Sequence, residues 1–365
     1  MLLLAAALAV VPPTPDWMGT LYDQRPQTRL SQLVVPGTHD SGAFAIDTVA
    51  PCKVTPIAGL NPIQAAAAKS NPCAAGRLAK AQSMNFTGQL NGGIRYLDMR
   101  LGVPAPKVIK AKAIPKKMSA SAATKVPIVL QHSFTSVRFT KALQQIVGFA
   151  NAHPREQIIL DFQHIDLTNT QKKVDAYYTK AIDKVLRTYS VGGNTVCSRA
   201  WTRTAFPDPS TTTLGQAWEA GRNIVVLHAA GQLPQRDCYH PREAVLYSPW
   251  PNTEDPTTSD TANLGYLQSR QAGLSGQSSC SVSGGNQCGL FVNQLQLSFT
   301  FTSQAQCLTG TRSQNCSLAD LARLRNPSVV PAMSAWQAQG LPINLSIVDF
   351  FEINDTARGL IALNP

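Results

Sequence analysis

Residues 33–42 read Leu-Val-Val-Pro-Gly-Thr-His-Asp-Ser-Gly, and this stretch decides the predicted fold. The apolar run at residues 33–35 predicts a short buried strand, and Pro36 and Gly37 predict its end. A histidine, a carboxylate and a hydroxyl follow directly at residues 39–41. In parallel α/β folds, the residues just beyond the carboxyl end of a strand are the ones that bind substrates and catalyse reactions. The stretch therefore predicts a functional site at one end of a parallel sheet.

Three later apolar runs end in the same way, at residues 94–100, 126–132 and 158–164. The polar residues at these ends are Asp98, Arg100, His132, Asp161, Gln163 and His164. Histidine transfers protons near neutral pH, and the planar fork of arginine matches two phosphate oxygens. Two histidines, an arginine and carboxylates at successive strand ends therefore indicate phosphodiester chemistry.

Strands alternate with helices along the rest of the chain. Further strands are predicted at residues 224–228, 245–247, 291–300 and 343–350. Helices are predicted between most of these strands, for example over residues 139–152 and 168–189. Neither a repeat of 20–50 residues nor a linker divides the chain. The pattern predicts one α/β domain over residues 16–365, a (β/α)8-type TIM barrel in a regular or an incomplete form.

The composition is that of a basic globular protein. Of the 365 residues, 44% are hydrophobic and 15% are charged, and 32 Lys and Arg against 21 Asp and Glu give a net charge of +11. This charge favours an anionic partner such as acidic lipid, or it simply keeps the protein soluble. No RNA-binding signature or zinc-finger spacing is present, so we expect no nucleic-acid partner. We expect a monomer.

Residues 104–127 interrupt the alternation. Six lysines lie there among Pro, Ala and Ser without a helical or strand period: Lys107, Lys110, Lys112, Lys116, Lys117 and Lys125. The composition predicts a mobile, solvated loop. Because the segment connects Arg100 to the strand of His132, we expect it at the mouth of the site. There it would either contact an anionic membrane surface or remain a solvated charge run.

Cysteines and the amino-terminal segment predict secretion. The apolar run at residues 2–11 is too short to span a bilayer and fits the core of a signal peptide, so residues 1–15 are interpreted as a signal peptide or its remnant. A basic segment before this run is missing. Eight cysteines without Cys-x-x-Cys spacing favour disulfides over a zinc site. The simplest of many possible pairings is sequential: Cys52–Cys73, Cys197–Cys238, Cys280–Cys288 and Cys307–Cys316.

The strand-end stretches resemble a known family. Residues 36–42, 93–100 and 131–132 resemble the catalytic X-region of phosphatidylinositol-specific phospholipases C, and residues 151–164 resemble the branch called X-domain-containing phospholipase C proteins. Further similar stretches lie at residues 249–253, 294–297 and 344–350. Together they span residues 30 to 355, approximately, in the family's order.

The resemblance implies a TIM barrel that cleaves phosphatidylinositol or a related inositol phosphodiester through attack of the inositol 2-hydroxyl on phosphorus. It implies that His39 is the general base and His132 the general acid. Arg100 would stabilise the transition state, with Asp40 orienting its guanidinium. Asp349 would orient His39 and stabilise its protonated form.

The resemblance also implies a set of substrate-binding residues: Asp161, Gln163, His164, His228, Trp250 and Asn252. We expect Asp161 to be the principal contact of the inositol ring, because a carboxylate can accept hydrogen bonds from two adjacent hydroxyls. His228 stands where the bacterial enzymes tend to carry a headgroup-binding arginine. This departure leaves strict inositol specificity in doubt.

Metal dependence and two other functions remain open. In calcium-dependent members of the family, a carboxylate at the position of Asp98 binds the metal with help from a second carboxylate two residues earlier, where this chain has Tyr96. Arg100 offers a fixed positive charge instead, so we expect no cofactor, and Asp98 is the expected ligand if Ca²⁺ binds. The alternatives are a metal-dependent glycerophosphodiesterase or sphingomyelinase-D-like barrel and a non-catalytic, lectin-like barrel. The residues do not decide between a lipid and a soluble phosphodiester substrate.

Overall fold

The computed structural model describes residues 14–168 and 171–365, except for the side chains of residues 63 and 67. Residues 1–13, which include the predicted signal-peptide core, lie outside the described residues. The strands are β1 Val35–Thr38, β2 Tyr96–Gly102, β3 Val129–His132, β4 Phe134–Arg138, β5 Ile158–Asp166, β6 Ile224–His228, β7 His240–Pro241, β8 Leu246–Tyr247, β9 Ser281–Val282, β10 Gly285–Asn286, β11 Leu290–Gln294 and β12 Leu345–Val348. The helices are α1 Trp17–Leu21, α2 Pro62–Ser70, α3 Pro72–Ala79, α4 Phe86–Asn91, α5 Ala120–Lys125, α6 Phe139–Ala152, α7 Lys172–Thr188, α8 Val196–Arg199, α9 Leu214–Glu219, α10 Arg242–Val245, α11 Pro256–Leu274, α12 Phe301–Thr309, α13 Leu318–Ala338 and α14 Thr356–Ile361.

Eight strands form a curled parallel sheet in the order β7-β6-β5-β2-β1-β12-β11-β8. The edge strands β7 and β8 are two residues long each and are joined by α10. Within the described residues, no ladder of hydrogen bonds pairs these two edges. The sheet is therefore an incompletely closed (β/α)8-type barrel, which confirms the predicted fold.

Alternate strand residues face two different layers, as the two-residue period of a strand requires. Val35, Tyr96 and Ile159 belong to the cluster inside the barrel, which Trp17 and Met18 of α1 complete at the amino-terminal end. Neighbouring residues of the same strands pack outward against the helices, chiefly α6 and α7. The amphipathic helix predicted over residues 139–152 is confirmed with the same bounds.

Strand β1 differs from its prediction. It does not end at Pro36 but runs through Pro36 and Gly37 to Thr38. The Pro36 carbonyl accepts a hydrogen bond from the backbone of Arg95 at 2.9 Å, so the missing N–H of proline leaves that ladder contact intact. A Cβ atom at Gly37 would lie 2.9 Å from side-chain atoms of both Tyr96 and Ile347. The glycine therefore permits close approach of three strands rather than a turn.

The strand that ends at His132 is also different. It was expected to be parallel, but β3 runs antiparallel to β2, with Leu130 opposite Leu101, and pairs with β4 as a hairpin. The hairpin lies beside the barrel, and neither β3 nor β4 is one of the eight strands of the parallel sheet. His132 therefore reaches the site by a different route from His39 and Arg100.

The lysine-rich segment is more structured than predicted. Residues 104–127 contain two 3-10 turns and the short helix α5, and their apolar side chains at Met118, Ala123 and Val126 are buried. The hydroxyl of Tyr178 in α7 accepts a hydrogen bond from the Ile109 backbone at 2.8 Å. The segment therefore combines short helical turns with irregular backbone, and its six lysines are all exposed as expected.

The four disulfides connect sequential cysteines as predicted: Cys52–Cys73, Cys197–Cys238, Cys280–Cys288 and Cys307–Cys316. Each closes a segment of 8 to 41 residues, so each bridge staples one loop to a neighbouring element. Within residues 14–168 and 171–365, no helix combines the length and the apolar character needed to cross a bilayer.

Candidate active site

The predicted catalytic residues meet at the carboxyl-terminal end of the barrel. His39 and Asp40 follow β1, Arg100 lies in β2, and Asp349 follows β12. His132 is the last residue of β3 in the neighbouring hairpin. Parallel neighbouring strands bring the first four together, and the antiparallel hairpin adds the fifth.

Asp40 lies at the centre of this group. Its Oδ1 is 3.0 Å from Nε of Arg100, and its Oδ2 is 3.3 Å from Nε2 of both His39 and His132. The residue is 1% exposed, and its φ of 42° is a left-handed conformation that aspartate tolerates better than most residues. One carboxylate thus contacts both imidazoles and the guanidinium.

Asp98 accepts hydrogen bonds from both Asp40 and Arg100. Its Oδ2 accepts a hydrogen bond from the Asp40 backbone at 3.0 Å and another from Nη2 of Arg100 at 2.9 Å. Burial opposes ionisation of Asp98, but the Arg100 guanidinium outweighs it and lowers the pKa of Asp98 to about 2. Asp98 is therefore an ionised partner that fixes both Arg100 and the turn at Asp40.

Burial has the opposite result at Asp40. It raises the pKa of this carboxyl to about 6, against the lowering effects of Arg100 and His39. Two carboxyls that contact the same guanidinium therefore ionise in different pH ranges. Asp40 is the one that can exchange a proton near neutral pH.

His39 is held by Asp349. Its Nδ1 lies 2.8 Å from Asp349 Oδ1, and because an ionised carboxylate only accepts, Nδ1 carries the proton and Nε2 is the basic nitrogen. Burial disfavours the charged ring, but Asp349 and Asp40 together outweigh it and raise the pKa of His39 above 6.5. The ring is therefore a base of raised strength whose free nitrogen faces Asp40.

His132 has a different environment. Its Nδ1 donates to the backbone carbonyl of Ala79 at 2.8 Å, which leaves Nε2 facing Asp40. Burial, the charge of Arg100 and the charge of His39 lower the pKa of His132 to about 3. The two imidazoles lie edge to face with centroids 5.7 Å apart. They therefore share one small space but differ in their affinity for a proton.

The same residues offer a candidate cation site. His39, Asp40 and Asp98 each provide one ligand atom, and these atoms lie within 4.8 Å of one another. Both carboxylates, however, already contact the guanidinium of Arg100. A divalent ion would compete with this fixed positive charge for the same oxygens.

Comparisons with known proteins find similar chains over most of the sequence. No protein-family model matches the chain. The human PI-PLC X domain-containing protein 3 is 24% identical over 361 residues, covering 96% of this chain and 93% of the relative. The mouse PI-PLC X domain-containing protein 2 is 26% identical over 242 residues, covering 65% of this chain and 60% of the relative. The chain is thus similar to PI-PLC X domain-containing proteins over almost its whole length.

Solved structures show the same fold. The phosphatidylinositol-specific phospholipase C from Listeria monocytogenes has a TM-score of 0.56 and 18% identity, with 97% of this chain and 100% of that chain covered. A mutant of the enzyme from Staphylococcus aureus has a TM-score of 0.55 and 16% identity, with 97% of both chains covered. Both similarities extend over almost the whole of the two chains compared.

A cavity of about 260 Å³ opens above the predicted catalytic residues. His39, Arg100 and His132 line it. The other lining residues are Leu78, Gln163, His164, Ser248, Trp250, Gln294, Leu297, Ser298, Phe299, Gln304 and Leu318. Of the predicted substrate-binding residues, the structure therefore brings Gln163, His164 and Trp250 to the cavity. Trp250 is 53% exposed at the rim, where its indole donates to Ser298 at 3.0 Å.

Asp161 does not lie in this cavity, in contrast to its predicted role. Both of its carboxylate oxygens are 2.9 Å from Nε of Arg242, and Tyr96 donates its hydroxyl to Oδ2 at 2.5 Å. Asp161 is fully buried, so its hydrogen-bonding capacity serves the interior of the barrel. Sequence reasoning missed this pairing because Arg242 lies 81 residues away.

His228 and Asn252 do not line the cavity either. The Nδ1 atom of His228 is 2.9 Å from the carbonyl of Ala229, and its ring packs edge to face on Tyr239. Asn252 has a φ of 48° in the connection after β8. The prediction that these two residues contact the substrate is therefore not supported by their positions.

Several lining residues were not predicted. Gln294 ends β11, so the rule that strand ends bear functional groups could have identified it. Leu78 and Gln304 lie on the helices α3 and α12, where no sequence pattern marks them. The lysine-rich segment, by contrast, contributes no residue to this cavity or to the two clefts that adjoin it. The segment packs on α7, where the Ile109 backbone donates to Tyr178, and none of the lining residues supports its predicted place at the mouth.

Proposed function

We propose that this protein is a phosphodiesterase of the phospholipase C type that cleaves an inositol phosphodiester. The observation that carries the proposal is the position of Asp40, which touches both imidazoles and Arg100 beneath a polar cavity. A phosphate in that cavity would meet a base, an acid and a fixed positive charge. These are the groups that intramolecular phosphodiester cleavage requires.

The reaction begins at His39. Its Nε2 takes the proton of the inositol 2-hydroxyl, because Nδ1 is already bound to Asp349. The hydroxyl oxygen forms a new bond to phosphorus while the bond from phosphorus to the diacylglycerol oxygen breaks. His132 gives a proton to the departing oxygen. The products are a cyclic inositol phosphate and diacylglycerol, and Arg100 offsets the charge that accumulates on the phosphate oxygens.

His132 must acquire its proton before it can act as an acid. In the free protein its pKa of about 3 keeps the ring neutral at neutral pH. The negative charge of a bound phosphodiester would raise this pKa, because an adjacent anion favours the charged ring. Asp40, with a pKa of about 6 and at 3.3 Å from Nε2, is positioned to share that proton.

The surroundings of the site favour a hydroxyl-rich headgroup and an apolar leaving group. Gln163, His164 and Gln294 present polar atoms to the cavity. A second cleft of about 80 Å³ begins at His132, on the leaving-group side, and its walls include Leu78, Phe134 and Leu308 among largely apolar residues. The glycerol end of a phospholipid would fit this side better than a charged group.

Phosphorus NMR of the reaction products tests the proposal. Wild-type protein is incubated in EDTA with phosphatidylinositol and, separately, with soluble glycerophosphoinositol. A cyclic inositol phosphate signal that is lost in the His39→Ala variant supports the proposal, and the ratio of the two rates tells a lipid substrate from a soluble one. Failure to form this product from either substrate, with or without added calcium, would overturn it.

One observation favours a second candidate, a metal-dependent phosphodiesterase. The ligand atoms of His39, Asp40 and Asp98 are close enough to hold one cation. Here the metal would supply the positive charge that we assign to Arg100. Activity that disappears in EDTA and returns with calcium would favour this candidate.

We also infer that the protein functions in an oxidising compartment outside the cytosol. Four disulfides with no free cysteine among the described residues support this inference. Thiol labelling of protein taken from the culture medium and from the cells tests it. Oxidised protein in the medium is the expected result, and reduced protein confined to the cells would contradict it.

A further inference from the structure

A separate cleft, distinct from the catalytic cavity and from the cleft at His132, lies at the opposite, amino-terminal end of the barrel. It has a volume of about 410 Å³ and opens between the residues that precede β1, the residues that precede β12 and the end of α11. Arg29 and Arg270 line it, together with apolar side chains that include Leu274, Leu341 and Ile343. The catalytic group follows β1 and β12, so the two sites are separated by the length of the strands.

Arg270 in this cleft has no hydrogen-bond partner for two of its nitrogen atoms. The residue is 2% exposed, and its Nε and Nη1 are buried without an acceptor. The guanidinium of Arg270 lies over the ring of Phe291, with its carbon 5.1 Å from the ring centroid. A guanidinium has five N–H donors, and leaving them unpaired away from water is costly.

Every other buried arginine that the structure describes is paired with a carboxylate. Arg95 contacts Glu156 at 2.7 Å, Arg242 contacts Asp161 at 2.9 Å, and Arg325 contacts Asp260. Among the described residues, no carboxylate forms an ion pair with Arg270. Residues 1–13, 169 and 170 include no Asp or Glu.

The charge of the cleft is not neutralised locally. Arg29, which is exposed, forms no ion pair with a described carboxylate, and no acidic residue lines the cleft. Burial alone lowers the pKa of Arg270 to about 9, so the side chain is still charged at neutral pH. The end of its own helix and the Phe291 ring favour a cation, but neither satisfies an N–H donor.

We propose that this cleft binds an organic oxyanion, a phosphate monoester or a carboxylate attached to an apolar body. The oxyanion would accept hydrogen bonds from the unpaired guanidinium of Arg270, and Arg29 would add a second positive charge at the rim. The apolar body would contact Leu341 and Ile343, and Leu274, which is 51% exposed, would cover it. This site is separate from the catalytic cavity and does not depend on the proposed activity.

Calorimetric titration with three matched probes tests the proposal. The probes are octyl phosphate, octanoate and uncharged octanol, with inorganic phosphate as a control without an apolar body. We expect one of the two amphiphilic anions to bind at least tenfold more tightly than octanol and inorganic phosphate. The tighter of the two identifies the oxyanion. Equal binding of charged and uncharged probes, or no binding of any probe, would overturn the proposal.

Two variants and a control locate the binding. Arg270→Met keeps the side-chain volume and removes the unpaired charge, so it should fold with an unchanged or higher unfolding temperature and bind the anion at least tenfold more weakly. Arg29→Gln should weaken binding two- to fivefold and serves if Arg270→Met fails to fold. His39→Ala, altered at the other end of the barrel, should bind as the wild type does. Unchanged affinity in both arginine variants, or loss of binding in His39→Ala, would place the anion elsewhere and overturn the proposal.

Discussion

The two ends of the barrel hold an arginine in opposite surroundings. At the carboxyl-terminal end, Arg100 contacts two carboxylates of its own chain, Asp40 at 3.0 Å and Asp98 at 2.9 Å. At the amino-terminal end, Arg270 is buried without one. Where the chain supplies the counter-charges, the arginine is fixed and its neighbours acquire shifted pKa values. Where the chain omits them, the counter-charge has to come from a ligand.

The difference also explains why the two sites suit different tasks. A catalytic group must be held in place before the substrate arrives, so that little reorganisation occurs in the transition state. Asp98 and Asp349 provide this support by binding Arg100 and His39. A binding site needs no such network, because the ligand itself completes the set of hydrogen bonds.

The largest expected effect tests the catalytic end. Replacing His39 or His132 with Ala should reduce turnover of phosphatidylinositol by roughly 10²–10⁴-fold, because each removes one proton-transfer group. Circular dichroism should show an unchanged fold. His153, which contacts Asp16 far from the cavity, supplies the control variant His153→Ala. Turnover within a few-fold of wild type in either catalytic variant would end the acid–base assignment.

The next effect compares the arginines directly. Arg100→Met leaves Asp40 and Asp98 without their cation and should destabilise the protein by about 2 kcal/mol, below the roughly 3–5 kcal/mol of fully buried pairs because its side chain is 17% exposed. Arg270→Met should leave the free energy of unfolding unchanged. Urea unfolding of both variants measures the contrast. Equal destabilisation would show that Arg270 has a partner comparable to those of Arg100.

The pH dependence sharpens the account of the catalytic end. His39 must be neutral to act as a base, and its pKa is raised above 6.5. Activity should therefore fall as the pH drops through this raised pKa, so the acidic limb of kcat/KM should have its midpoint above 6.5. Asp349→Asn removes a charge that favours protonated His39, so its limb should move to lower pH. If the acidic limb of the Asp349→Asn variant has the same midpoint as that of the wild type, a group other than His39 determines the pH dependence.

A smaller effect concerns the lysine-rich segment, which we still propose as a contact for anionic membranes. Each lysine near such a surface contributes about 1 kcal/mol, and the attraction extends over roughly one Debye length, about 8–10 Å. Serine at five positions should weaken binding to vesicles of phosphatidylcholine and phosphatidylserine at least tenfold at low salt: Lys107, Lys110, Lys112, Lys116 and Lys117. Hydrolysis of a soluble substrate should be unaffected, because the segment lies outside the cavity.

A control variant separates position from net charge. It carries serine at five exposed lysines elsewhere: Lys69, Lys141, Lys172, Lys173 and Lys180. If it loses as much vesicle binding as the first variant, the overall charge of the protein acts rather than the segment. Sedimentation with vesicles measures both variants at low and high salt.

The smallest expected effect is that of metal removal. Because Arg100 already supplies a positive charge beside Asp40 and Asp98, EDTA should leave the rate of phosphatidylinositol cleavage unchanged. Adding calcium to protein treated with EDTA should change nothing. A rate restored by calcium would mean that the ion displaces the guanidinium, and the contrast between the two ends of the barrel would then be weaker than we describe.

Much of the fold could be predicted from local sequence. Helix α6 was predicted with its bounds because its apolar positions repeat with the helical period over 14 residues. The four disulfides join cysteines 8 to 41 residues apart, where short loops favour pairing between neighbours along the chain. The proximity of the candidate residues at the ends of β1, β2 and β12 could be predicted because parallel neighbouring strands bring their carboxyl ends together.

Contacts between distant segments were not predictable in this way. A proline inside a helix normally ends or kinks it, yet α13 continues through Pro327 and Pro331 because tertiary packing outweighs the local cost of each proline. His132 lies on an antiparallel hairpin, and nothing in its own strand distinguishes that direction from the parallel one.

The buried charges show most clearly what only the tertiary structure decided. The sequence predicted Asp161 as a ligand for substrate, but its two oxygens bind Arg242. Nothing in the sequence distinguishes Arg270 from an ordinary surface residue, since an arginine near a helix end is usually solvated. A residue's own identity and neighbours determine whether it carries charge. Whether that charge finds a partner depends on which distant segments pack beside it. For this reason only the structure shows that Asp161 pairs with Arg242 and that Arg270 has no carboxylate partner among the described residues.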